Sequence, residues 1–94
     1  MVQPASDRPR ASIIIANYNY ARFLRRCIDS ALEQDHPEVE VVVVDDDSSD
    51  GSAAVIRSYG SRIVPCLKAA NGGHAAAFNE GFAASRGDIV FFLD

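Results

Sequence analysis

The chain has 94 residues, of which 48% are hydrophobic and 23% are charged, a composition typical of one small globular domain. Its net charge of -4 argues against a protein that binds the nucleic-acid backbone, which needs Lys and Arg gathered on one face. No apolar run approaches the roughly 18 residues of a membrane span, so we expect no membrane segment and a cytoplasmic location, leaving open a membrane-associated parent protein.

The first half of the chain alternates apolar runs with an amphipathic segment. After a leader over residues 1–10, residues 12–16 form a continuous apolar run that suits a buried strand. Apolar residues then recur at helical spacing over residues 21–34. The pair His36-Pro37 ends this helix, and residues 39–44 are predicted to form a second strand.

The second half repeats the alternation. An acidic loop precedes a helix that Asp50 can cap and that runs to a natural stop at Gly60. Residues 63–67 form a third strand, expected at a sheet edge because Pro65 lacks an amide donor. A helix over residues 74–85 and a strand over residues 89–93 follow. The order β-α-β-α-β-α-β predicts an α/β, Rossmann-like three-layer fold, with a parallel sheet and helices on both faces.

The acidic loop, DDDSSDGS at residues 45–52, fits the first half of an EF-hand calcium site. The second half does not fit, because the twelfth position counted from Asp46 is Arg57 and the residues before the loop are β-branched. No chemistry is assigned to the cysteines and histidines, none of which has zinc-site spacing: Cys27, Cys66, His36 and His74.

Polar residues follow every predicted strand, at the edge where doubly wound sheets bind ligands. They are residues 17–19, 45–47, 71–73 and Asp94. The chain lacks both G-x-G-x-x-G and G-x-x-x-x-G-K-[ST], which weakens a dinucleotide site and excludes a P-loop ATPase. An acidic rim can read sugar and base donors, or can hold a divalent cation between itself and phosphates. Both of these roles for the acidic residues favour a nucleotide diphosphate as the ligand.

Four segments together resemble family 2 inverting glycosyltransferases of the GT-A fold: SIIIANYN (12–19), VVDDDSSDG (43–51), NGGHAAAFNEG (71–81) and GDIVFFLD (87–94). The resemblance covers residues 11–94 and implies the N-terminal, nucleotide-binding half of such a domain. The implied function is binding of a nucleotide-diphospho-sugar donor, with UDP-sugar favoured, for metal-assisted inverting transfer to an unknown acceptor.

The resemblance also implies the site residues. Asp45 and Asp46 match an acidic pair in which a carboxylate accepts the uracil imide hydrogen. Asp94 matches the first aspartate of the D-x-D motif, which would hold Mg²⁺ or Mn²⁺ on the diphosphate. The remaining matches to positions around the nucleotide are Asn17, Tyr18, Asn19, Asn71, Gly72, Gly73 and Asn79.

Two residues depart from the family pattern. Asp47 stands where Gly is usual, so the turn must accept a Cβ, which Asp tolerates at positive φ. Phe78 stands where Arg is frequent.

No catalytic residue is assigned, because the general base of the family falls outside this chain, which stops at the first D-x-D aspartate. We expect the chain alone to be inactive, and the strand ending at Asp94 to form homo-oligomers through an apolar edge.

Two other functions stay open. The first is a non-catalytic nucleotide- or partner-binding α/β module, in which the acidic loop only caps a helix. The second is a flavodoxin-like or response-regulator domain. This one is weakened because the only lysine, Lys68, follows the third strand, whereas receivers need a lysine late in a fifth strand, which is absent here.

Overall fold

A computed structural model describes residues 11–33, 39–68, 72–87 and 89–93. It contains strands β1 (Ala11–Asn17), β2 (Val39–Asp45), β3 (Val64–Leu67) and β4 (Ile89–Leu93), and helices α1 (Ala21–Leu32), α2 (Ser52–Arg57) and α3 (Gly73–Ala84). The predicted alternation of strands and helices is confirmed. No helix within these ranges is long and apolar enough to cross a membrane.

The four strands form one parallel sheet in the order β3-β2-β1-β4. β3 lies at an edge, as Pro65 predicted. The chain runs from β1 outward to β3 and then returns through α3 to the other side of β1. The strand order therefore reverses at β1, and the carboxyl end of β1 marks the point where ligands bind in such sheets.

The core lies on both faces of the sheet, because β1 and β2 are apolar at successive positions. Ile13 and Ile15 pack into a cluster with α1 and α2, whereas Ile14 and Ala16 pack with α3 on the opposite face. Alternating side chains of one strand thus enter two different layers. This confirms the predicted helices on both faces.

The helix predicted to reach Gly60 is shorter than expected. α2 ends at Arg57, and a 3₁₀ turn over Gly60–Arg62 leads into β3. The early end lets Tyr59 fold back against α1, where its buried ring places the hydroxyl 2.6 Å from the Asp29 carboxylate. Gly60 then turns the chain at a φ of 57°, a conformation that favours glycine.

Candidate functional site

The carboxyl ends of β1 and β2 are joined by a buried side-chain hydrogen bond. Asn17 and Asp45 are the last residues of these strands and are register partners. The Asn17 Nδ2 donates to Asp45 Oδ1 at 2.9 Å, and the two residues are only 4% and 3% exposed. An amide and a carboxylate satisfy each other here, as buried polar groups must. The carboxyl ends of β1 and β2 therefore carry a fixed polar pair. The end of the sheet formed by the carboxyl ends of its strands is called the polar edge below.

Ser48 extends this pair to the loops above it. Its amide and hydroxyl donate to the Asp45 carboxylate at 2.9 and 2.6 Å. The Ser48 hydroxyl also accepts from the Asn19 amide at 2.8 Å, and the Asn19 side chain accepts from the Ser49 amide at 2.8 Å. The loops that follow β1 and β2 are thus hydrogen-bonded to each other.

Two residues of these loops have positive φ. Asn19 lies at 56° and Asp47 at 62°, in the left-handed region that Asn and Asp tolerate better than other side chains. The expectation for Asp47, at a position where glycine is usual, is confirmed. Its side chain is exposed, and so is that of Tyr18, at 42%. These two side chains face outward above the buried network.

Asp46 connects β2 to the beginning of α3. Its buried carboxylate accepts from the Gly72 and Gly73 amides at 2.9 and 2.8 Å and lies 3.1 Å from the Lys68 ammonium. Burial by itself opposes ionisation, but the two amide hydrogen bonds and the lysine hold the pKa of Asp46 below its usual value. Asp46, which directly follows β2, therefore caps the N-terminus of α3.

Asp50 caps two helices. It accepts from the hydroxyl and amide of Ser52 at the start of α2, which confirms the predicted cap. It also accepts from the Ala21 amide at the start of α1, at 3.1 Å. The Ser52 hydroxyl bond is the main cause that keeps the pKa of Asp50 below its usual value. The Asp50 carboxylate thus connects the start of α1 to the acidic loop, in addition to the bonds that Asn19 makes with Ser48 and Ser49.

Most of the predicted site residues meet at this edge of the sheet: Asn17, Tyr18, Asn19, Asp45, Asp46, Gly72 and Gly73. Asn79 is exposed within α3, about two turns after the helix begins. Asn71 and Asp94 lie outside the described residues, although β4, which precedes Asp94, ends beside β1 at the Ile15↔Leu93 pair.

Sequence reasoning missed two residues of this edge. The sequence indicates Lys68 only as evidence against a receiver domain, and Ser48 only as a position of the calcium-loop pattern. The signal for Lys68 was its place directly after β3, at the same edge as Asp46. Ser48 carried no signal, because its role depends on contacts with β1.

A metal site is not formed by the described residues. Among them, no group of three or more His, Cys, Asp or Glu side chains could hold an ion. The carboxylates of Asp45 and Asp46 instead accept hydrogen bonds from neighbouring protein groups. The predicted ligand, Asp94, lies outside the described residues.

An apolar cavity of about 430 Å³ opens between β1 and α1. Its lining includes Ile15, Phe23 and Cys27, with Asn17 and Tyr20 as polar members. Such a surface lacks the charged groups that would hold a diphosphate or its cation. The polar edge, and not this cavity, is therefore the stronger candidate.

Comparisons with known proteins agree on one family. The model of Glycosyl transferase family 2 matches residues 12–94. An uncharacterized glycosyltransferase of Nostoc sp. is 48% identical over an alignment of 88 residues that covers 90% of this chain and 27% of that protein. The putative teichuronic acid biosynthesis glycosyltransferase TuaG of Bacillus subtilis is 33% identical over 90 residues, covering 93% of this chain and 36% of TuaG.

Solved structures show the same likeness. The mannosyltransferase PcManGT from Pyrobaculum calidifontis, in complex with GDP-Man and Mn²⁺, has a TM-score of 0.75 and 33% identity over 88% of this chain. S. aureus TarS 1-349 has a TM-score of 0.81 and 30% identity over 90% of this chain. The chain spans 26% and 27% of these two structures.

Proposed function

This chain belongs to glycosyl transferase family 2, and we propose that it forms the nucleotide-binding part of an enzyme that uses a nucleotide-diphospho-sugar donor. The family predicted from the four segments and the Rossmann-like, GT-A-type fold are both confirmed. Because the chain spans about a quarter of PcManGT, sugar transfer itself is proposed for the longer protein. We propose that these 94 residues alone bind donor nucleotide without transferring sugar.

The observation that carries this proposal is the hydrogen-bonded edge of the sheet. Asn17, Asp45 and Ser48 fix the loops after β1 and β2, and Asp46 fixes the start of α3 beside them. Groups that are held in place before a ligand arrives lose little conformational entropy on binding. An ordered polar edge at the point where strand order reverses is the place where this fold class takes its ligand.

The capacity of the Asp45 carboxylate to accept one more hydrogen bond supports a contact with the nucleobase. An ionised carboxylate offers about four lone-pair sites. Asn17 and Ser48 donate three hydrogen bonds to Asp45, which leaves about one acceptor site for a base N–H. Asp46 already accepts from two amides beside the Lys68 ammonium. We therefore propose Asp45 as the direct base acceptor of the acidic pair, and Asp46 as its support.

Two features of the donor site are also proposed: the nucleobase of the donor and the divalent cation that accompanies it. The family resemblance favours UDP, while PcManGT was solved with GDP-Man and Mn²⁺, so both nucleotides belong in the first experiment. We propose that Asp94 is a ligand of a divalent cation, Mg²⁺ or Mn²⁺. Such an ion would neutralise charge on the leaving nucleoside diphosphate.

The test is a two-dimensional amide NMR titration of the chain with UDP, GDP and NAD, each with and without Mg²⁺. We expect UDP or GDP to shift the amides of Asn17, Asp45, Ser48 and Gly72, and NAD to leave them unchanged. Asp94→Asn should weaken the Mg²⁺-dependent part of the binding. The Phe82→Ala variant serves as a control, since Phe82 is an exposed α3 side chain, at 59%.

A second function is favoured by one specific observation. The carboxylates of Asp45, Asp46 and Asp50 all bind groups within the chain, as expected of a partner-binding module whose acidic loop only holds helices. A folded sample in which neither nucleotide moves the edge amides would support this module and contradict the donor site.

A further inference from the structure

A second polar cluster lies at the opposite, amino-terminal end of the sheet. The Glu40 carboxylate, through Oε2, accepts from the Ser12 hydroxyl and from the Arg86 amide, each at 2.6 Å. The Ser12 hydroxyl in turn accepts from the Gly87 amide at 2.9 Å. Ser12 is fully buried, and the Glu40 side chain is 9% exposed. The starts of β1 and β2 are thus bonded to the turn that precedes β4.

This cluster leaves little freedom to the turn. A Cβ on Gly87 would lie 2.6 Å from both the Ala11 carbonyl carbon and the Ser12 hydroxyl, so the turn backbone lies directly on β1. The second Glu40 oxygen, Oε1, is buried without a hydrogen bond and lies 3.5 Å from the Arg86 Nε. A buried carboxylate is costly when it loses its donors, so displacement of the turn is strongly opposed.

The register of β4 needs such an anchor, because its own sequence does not define one. β4 reads IVFFL and has five residues, all apolar. Hydrophobic alternation fixes strand register only where the two faces differ, and here they do not. A slip by two residues would keep the same side chains on each face while moving the strand end by about 6.6 Å.

We propose that Ser12, Glu40 and Gly87 are positioning residues that set the register of β4 on β1. They thereby determine where the carboxyl end of β4 meets the ligand-binding edge of the sheet. This inference rests on the proposed function, since Asp94, the proposed metal ligand, follows Leu93 directly in the sequence. The cluster would act from the far end of the strand, without touching the donor.

The first test measures how firmly the cluster holds β4 on β1, and it needs no ligand. In Glu40→Ala, amide hydrogen exchange in β4 should accelerate about tenfold or more, the effect of losing one charge-assisted hydrogen bond. Amides shared by β2 and β3 should keep their exchange rates. Glu40→Gln retains one carbonyl acceptor, so its β4 exchange rates should lie between those of the unmodified chain and those of Glu40→Ala. Ser85→Ala is the matched control, because the Ser85 hydroxyl bonds only locally to the Phe82 carbonyl in the part of the chain described.

The second test is a double-mutant cycle on UDP affinity in Mg²⁺. Glu40→Ala should weaken binding about as much as Asp94→Asn, and should weaken it little further when Asp94 is already Asn. An equal loss in both backgrounds would overturn the positioning role, and so would unchanged β4 exchange in Glu40→Ala. If the unmodified chain binds neither UDP nor GDP, the proposed function fails. The exchange measurement alone then decides whether the cluster anchors β4 on β1. Should Glu40→Ala not fold, the same comparisons apply to Glu40→Gln.

Discussion

Replacing Asp46 by Asn tests whether one carboxylate connects β2, β3 and α3. In the folded chain this carboxylate is 3% exposed, accepts from the Gly72 and Gly73 amides and pairs with Lys68. Asn has the same shape but supplies one acceptor oxygen and an NH₂ group. One of the two helix amides therefore faces a donor, and the lysine loses the charge beside it.

The expected loss follows from these contacts. Losing a helix cap costs about 1 kcal/mol, and burying the NH₂ group of the new Asn without an acceptor costs about 1–3 kcal/mol. Removing one partner of a largely buried ion pair can add to this, so we expect a total near 2–4 kcal/mol for Asp46→Asn. A chain of this size has about 5–15 kcal/mol of stability, so the variant stays folded but is clearly weakened.

Urea unfolding, monitored by circular dichroism, measures this loss of stability, with Asp47→Asn as control. The Asp47 side chain is exposed at a φ of 62°, which Asn also tolerates, so its change should stay within about 0.5 kcal/mol. A loss for Asp46→Asn that is no larger than the control would refute the reasoning. Lys68→Met should cost less in the Asp46→Asn background than in the unmodified chain, since the two groups contact each other.

The effect of Asp46→Asn should also depend on pH. Because the folded pKa of Asp46 is lowered, its stabilisation is complete above the unfolded pKa of about 3.9 and is lost as pH falls through the folded value. The stability difference between the unmodified chain and the variant should be constant above about pH 5 and should narrow below about pH 4. A difference that grows on acidification would contradict this sign.

Three further predictions concern Gly81, Asp47 and the two cysteines. Gly81→Ala should cost about 1–3 kcal/mol in urea unfolding, because its Cβ would collide with Ile14, whereas Gly51→Ala, with nothing within 4 Å, should be close to neutral. Asp47→Gly should leave stability nearly unchanged, but Asp47→Val should lower it by about 1–2 kcal/mol, since a β-branched residue is strained at positive φ. Burial raises the pKa of both cysteine thiols, so alkylation at pH 8 should be slower in the folded chain than in urea.

Most of the fold could be predicted from local sequence patterns, because strands and helices depend mainly on residues that are near neighbours along the chain. The continuous apolar runs of β1 and β2 predicted strands buried on both faces, and Pro65 predicted an edge strand. The helix to Gly60 was too long because its end depends on Tyr59 reaching Asp29, thirty positions away. Periodicity does not contain that contact.

The candidate edge was predicted in position but not in its connections. Strand ends with polar residues indicated Asn17, Asp45 and Asp46. In the structure the Asn17 and Asp45 side chains are hydrogen-bonded to each other, and the Asp46 backbone amide donates to the Asn17 carbonyl. The second partner of Asp50, the Ala21 amide, and the pairing of Lys68 with Asp46 link elements far apart in sequence. Such partners follow from the sheet order, which a single sequence does not specify.

The charge balance of the edge limits how a diphosphate can bind there. A helix N-terminus is the usual anion site of such folds, yet the first amides of α3 already bind the Asp46 carboxylate. The chain's single lysine, Lys68, is paired with the same carboxylate. The exposed Asp47 adds negative charge beside them. A bare diphosphate would therefore meet repulsion at this edge, which supports the proposal above that the donor binds together with a divalent cation.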